Sequence, residues 1–230
     1  MASAYRAREG SKACFQARLV IAGGSRIVGQ VKDKSNIWLL VFLLGVFALT
    51  RWPGLMPVNF SAAYALVFCA GAFPRRLPWW LLLGVMLVTD VGLNLLHYGE
   101  PPLTDYQAIN YLAYAAIYSL GRQIGGQSSW LRLLGGGLLG AVLFYLITNT
   151  AAWMQNHEYA KTIGGWFQAL TVGTAGWPET WKFFRNTLTS GGLFTGLFVA
   201  GFKLTAADEP EEREAAAEEE KEAQPDEGKA

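Results

Sequence analysis

The sequence predicts an all-α polytopic membrane protein: six transmembrane helices, with an interfacial helical segment before the last span. Three observations carry this. Of 230 residues, 52% are hydrophobic and only 16% are charged. Eleven of the eighteen acids lie from Asp208 onward, so the rest of the chain reads as long apolar stretches with short polar punctuation. A membrane helix needs about 20 predominantly apolar residues, and six stretches come near that length.

The stretches are 36–51, 58–74, 78–97, 106–121, 130–153 and 187–204. Arg51 ends the first, and Asn59 begins the second. The third carries Asp90, with no other charge between Leu77 and Leu96. Gln107 and Asn110 interrupt the start of the fourth, and Arg185–Asn186 leads into the sixth. In lipid the backbone must satisfy its own hydrogen bonds, and loops this short leave only a helical bundle. Loop charge sets orientation. With the N-terminus inside, Arg75, Arg76, Arg122, Arg132 and Lys203 join the basic arm there, and only Arg51, Lys161, Lys182 and Arg185 lie outside. This predicts a bacterial inner (cytoplasmic) membrane protein with both termini cytoplasmic.

Residues 1–35 form a basic arm, 36–204 the membrane domain and 205–230 an acidic tail. The arm reads as disordered beside an anionic leaflet, or as a transit peptide. "VKDKSNIWLL" also looks like a natural start, which would leave residues 1–30 outside the native chain. The tail has eleven acids against three bases, a composition expected to stay solvated and disordered. Cys14 and Cys69 fall in different regions, so no disulfide is expected. Cys and His spacings fit no metal, and no phosphate-loop or dinucleotide motif is present. No cofactor, catalytic residue or nucleic-acid partner is therefore predicted.

Small residues recur every four positions: Ser61, Ala65 and Cys69; Gly136 and Gly140; Gly192, Gly196 and Ala200. Such spacing lets helix backbones approach closely, for internal packing or for contact with a partner.

The polar residues inside these stretches carry the functional signal. Asp90, Asn94 and His97 share one helical face, as do Gln107, Tyr111, Tyr114 and Tyr118. Tyr145, Asn149 and Trp153 form a third stripe, continued by Asn156. With Arg51, Asn59, Arg185 and Asn186, nearly all fall at one depth, near the outer surface. A charge at mid-membrane costs about 2.5–3.5 kcal/mol on insertion scales, so it faces a partner or water. The plain alternative is a satisfied polar core, with Asp90 bridged to Arg51 or Arg185. The loop between the last two spans, about 30 residues, is long enough to be functional. Its aromatics, among them Trp166, Phe167 and Trp177, suit the interface. It reads as an anchor, or as a lid flexing at Gly164–Gly165 and Gly173.

"RWPGLMPVNFSAAYAL", "LLLGVMLVTDVGLNLLHYG", "LFYLITNTAAW", "YAKTIGGWFQAL" and "KFFRNTLTSGGLFTGLF" resemble, in that order, the blocks of a bacterial membrane-protein family of unknown function. That family is distantly similar to the S components of energy-coupling-factor vitamin transporters. The family pattern covers Pro57, Asn59 and Phe60, then Asp90, Thr148, Asn149 and Trp153, then Tyr159, Lys161 and Thr162. It ends with Phe183, Phe184, Arg185, Asn186 and Thr187. Ser61-Ala62 stands where the family has Thr-Pro after Asn-Phe, and Ser190-Gly191 where it has an acid. The resemblance implies a subunit that binds a small solute from outside and depends on a separate scaffold subunit and ATPases. Arg51, Asn59, Asp90, Asn94, His97, Tyr111, Asn149, Trp153, Arg185 and Asn186 are the expected ligand-binding residues. The alternatives are an accessory subunit with a structural polar core, or an intramembrane enzyme using Asp90 and His97.

Overall fold

The computed structural model describes residues 34–223, with side chains over 37–205. The helices are α1 Lys34–Arg51, α2 Ala63–Ala72, α3 Trp79–Leu93, α4 Asp105–Ile124, α5 Trp130–Gln155, α6 Ile163–Thr171 and α7 Thr180–Ala223. A π-helical turn, Asn94–Tyr98, continues α3. The described residues contain no strand, so the all-α expectation holds. Residues 1–33 of the expected basic arm, with Cys14, lie outside the described residues. The last helix does not stop at the end of its apolar stretch near 204 but runs on to Ala223.

Local chemistry fixes the helix ends. Thr104 and Gln107 form a capping box on α4, with Thr104 N donating to Gln107 Oε1 at 2.9 Å. Ser129 caps α5 and Thr162 caps α6 through their hydroxyls.

The second apolar stretch differs most from expectation. It is helical only over ten residues, about 15 Å, against the roughly 30 Å of a bilayer core. Its first residues are taken up by a turn in which Phe60 N donates to Pro57 O at 2.9 Å. Asn59 sits there at φ 61°, a left-handed conformation that Asn tolerates better than other non-glycine residues. All ten residues of α2 are buried, so this helix lies within protein. Irregular backbone at its ends is satisfied by neighbours. Ala62 N donates to Thr50 Oγ1 at 3.1 Å, and Gly126 N to Ala72 O at 2.9 Å.

Helices α4, α5 and α7 pack around α2, and α5 also packs on α4 and α7. The α2–α4 crossing is set by Gly71 and Gly121. A Cβ on Gly71 would stand 2.2 Å from Tyr118 O, and one on Gly121 2.2 Å from Phe68 O. Of the small-residue stripes, Gly136 lies against Phe68 and Ile124, and Gly140 against Ile117. Both therefore serve internal packing. Gly196 is different, with open space where a Cβ would point. At the end of the bundle opposite Arg51, Arg76 donates to Phe202 O and Thr205 Oγ1, and Lys203 to Ser128 O.

Candidate binding site

Asp90 stands on the face of α3 that also carries Leu82 and Met86, at successive spacings of four. These three are the buried residues of α3. Asp90 is 5% exposed, and both of its oxygens are engaged. Arg51 Nη2, at the C-terminal end of α1, ion-pairs with Oδ1. Tyr111, on α4, donates its hydroxyl to Oδ2 at 2.8 Å. Three helices thus meet at one carboxylate. The cation also sits where a helix C-terminus favours positive charge, and it lies 5.9 Å from the Phe47 ring centre. Its Nε is buried and has no hydrogen-bond partner.

Below this pair, between α3 and the α2–α4 layer, lies a crevice of about 270 Å³. Trp79, Leu82, Leu83 and Met86 line it from α3, and Tyr111, Tyr114 and Tyr118 from α4. Its far end, at Trp79 and Ser119, is about three helical turns from Asp90, roughly 16 Å along the α3 axis. Tyr111 belongs to both places: its ring lines the crevice and its hydroxyl holds Asp90.

The other expected ligand-binding residues do not gather here. Asn94 donates to the carbonyls of Pro101 and Pro102 and closes the α3–α4 loop. His97 is exposed, its ring against Tyr98. Asn59 shapes the turn before α2, and its carbonyl accepts from the Tyr64 hydroxyl at 3.2 Å. Asn149 donates to Tyr145 O, one turn back on its own helix. Trp153 Nε1 donates to Ala160 O at 2.9 Å, and Lys161 caps the end of α5 through Trp153 O and Asn156 O. Asn186 donates to Val58 O at 2.9 Å, joining two sequence blocks 128 positions apart. Arg185 is exposed over the Trp181 ring, 5.6 Å from its centre, so Asp90 is paired with Arg51. Gln107, expected on the tyrosine face of α4, belongs to the capping box.

The segment read as a possible lid is fastened down. Trp166 Nε1 donates to Thr150 Oγ1 at 3.0 Å, and Tyr145 donates to Leu170 O at 2.5 Å. Gly164 and Gly165 lie in the first turn of α6, and Gly173 closes its end at φ 83° by donating to Gln168 O. α6 packs on α5 and α7, the far side from the helices that form the crevice.

The crevice escaped the sequence reading, since Leu82, Leu83, Met86 and Trp79 stand there only as span residues. The signal was present: Leu82, Met86 and Asp90 share one spacing of four, facing a helix with Tyr111, Tyr114 and Tyr118 at similar intervals.

Fold and site together define an all-helical protein in which an ion pair with a tyrosine closes one end of an apolar crevice. Among the described residues, two helices, Trp79–Tyr98 and Trp130–Gln155, are long and apolar enough to cross a membrane. The chain belongs to a family of unknown function, DUF6580, whose model matches residues 31–213. Among curated proteins and solved structures, none matches the chain.

Proposed function

We propose that the chain is a membrane-embedded ligand-binding subunit of a transporter, with the Asp90–Arg51–Tyr111 cluster and the adjoining crevice as its site. The observation that carries this is Tyr111, which links a buried charge pair to a cavity. At about 270 Å³, the cavity sits just under the roughly 300–1,000 Å³ usual for ligand pockets. A charge pair brought among apolar helices is costly to desolvate and contributes little net stability, which favours a functional reason for keeping it.

Membrane embedding is supported by exposure. Only 22% of the apolar window of Trp79–Tyr98 is buried, less than is expected of the core helix of a water-soluble protein. Trp79, Trp80, Leu83 and Val88 are exposed along it, an apolar surface suited to lipid. In this reading α1, α4 and α7 complete the crossings with α3 and α5, and the buried α2, with the turns at its ends, returns the chain from the end of α1 at Thr50 to the start of α3 beyond Arg76, which makes an even number of passages. We place both termini in the cytoplasm of a bacterium, by the loop charges. The chain then resembles an S component that depends on a scaffold subunit and ATPases, since its sequence carries no nucleotide motif of its own. The reading is of binding, not catalysis: Asp90 is held by a cation, and His97 is exposed in the π-helical turn, seven residues further along the chain.

The test is thermal melting of the purified protein against a panel of small metabolites and amphiphiles. Stabilisation by one of them, lost when Arg51→Met and Asp90→Leu are combined, supports the proposal. A second reading, an accessory subunit with a structural ion pair, is favoured by the occupation of both Asp90 oxygens. It predicts no stabilisation by any compound.

A further inference from the structure

We infer that the molecule bound at this site carries a hydrocarbon chain and enters from the side of the bundle, between α3 and α4. The inference rests on the binding-subunit reading and names the ligand class of that site.

Chemistry along the crevice decides against a compact polar solute. Between Trp79 and Met86 on one wall, and Tyr111 and Ser119 on the other, the lining is hydrocarbon and aromatic ring, with polar atoms confined to a few hydroxyls. A polar solute there would lose its water and find few hydrogen-bond partners, at a cost for each group left unpaired. A methylene chain would gain about 0.8 kcal/mol per carbon buried. The open side has the same character: Trp79, Leu83, Ala115 and Ser119 are exposed at its rim. That rim runs along the helices, not across their ends, so in a bilayer it opens onto acyl chains.

The crevice also has polarity. None of its lining residues is charged, and at one end the Asp90–Arg51 pair lies beyond Met86, reached through Tyr111. Arg51 Nε, buried without a partner, is a donor left over after Asp90 is satisfied. A chain ending in a hydrogen-bond acceptor would place its tail beside Trp79 and its head toward Arg51.

The full chain held in amphipol, titrated with straight-chain alcohols from butanol to hexadecanol, tests this. Affinity should rise about fourfold per methylene and level off once the crevice is full. Ala115→Phe, which fills the mouth, should weaken the long alcohols about tenfold or more. Leu83→Phe should do the same from the facing wall, and melting curves report whether each variant folds. A rise that never levels and ignores both substitutions is partition into the belt and overturns the inference. So does a chain-free polar solute that binds as tightly as the long alcohols; if its binding is lost in Arg51→Met/Asp90→Leu, the binding-subunit reading survives. Binding of neither class removes both.

Discussion

Asp90 and Arg51, 39 residues apart, form an ion pair between the third and first helices of the bundle. The carboxylate is nearly inaccessible, whereas the Arg51 side chain is 25% exposed. Each residue is therefore the other's main compensation, and their substitutions are coupled. Removing one partner of a buried pair costs about 3–5 kcal/mol, whereas replacing both with apolar groups is close to neutral. Arg51→Met alone should lower the melting temperature strongly. Adding Asp90→Leu should restore most of it. Additive losses in a double-mutant cycle would remove the pair as a unit.

Tyr111 should behave as the third member of the cluster. Tyr111→Phe keeps the ring in the crevice and deletes the bond to Asp90 Oδ2. A hydrogen bond to a charged group contributes about 1.5–3 kcal/mol, so the loss should fall in that range. In an Asp90→Leu/Arg51→Met background the same substitution should have almost no effect.

Glycines separate sharply by position. Gly71→Ala and Gly121→Ala would each press a methyl into backbone oxygen at 2.2 Å, which side-chain movement cannot relieve. Overpacking of this kind costs about 1–3 kcal/mol or more. Gly84 and Gly92, on α3, have nothing within 4 Å of the place a methyl would take. Alanine at either should be neutral or stabilise by about 0.4–1 kcal/mol. Melting temperatures of the four variants, measured side by side, check the contrast.

The Tyr159 phenol lies in the loop before α6, and burial pushes it above its ordinary value of 10.0, with the Glu158 charge adding to the rise and a hydrogen bond with Thr174 opposing it. Its contribution to stability is fully present below that ordinary value and is lost as pH rises through the folded value. Tyr159→Phe should thus flatten the alkaline limb of the stability profile. Glu179 is displaced the other way, below its ordinary value, by the hydrogen bond and charge of Lys182. Its contribution would be present above that value and lost as pH falls. It is fully exposed, so Glu179→Gln should leave the acid limb unchanged.

Much of this was readable in the chain, and the failures have physical causes. The helical class followed from apolar length, and Arg51 stood among the two candidate partners of Asp90. Stretch 58–74 misled because its composition is apolar throughout, whereas Pro57 and Asn59 make its start a turn. Asn94, Asn149, Trp153 and Asn186 share a depth with Asp90 because helix ends gather there, and each serves a carbonyl within the chain. Gly71 and Gly121 escaped notice because a search for repeats looks along one helix. A crossing needs one glycine on each of two.

If the Asp90–Arg51 pair ends a ligand site, native mass spectrometry of protein drawn from cell membranes will find that site occupied. We predict one small molecule held at near-stoichiometric occupancy by the natural sequence and absent from Arg51→Met/Asp90→Leu, with the variant still folded. Protein that carries nothing, or a bound molecule indifferent to the double substitution, would contradict it.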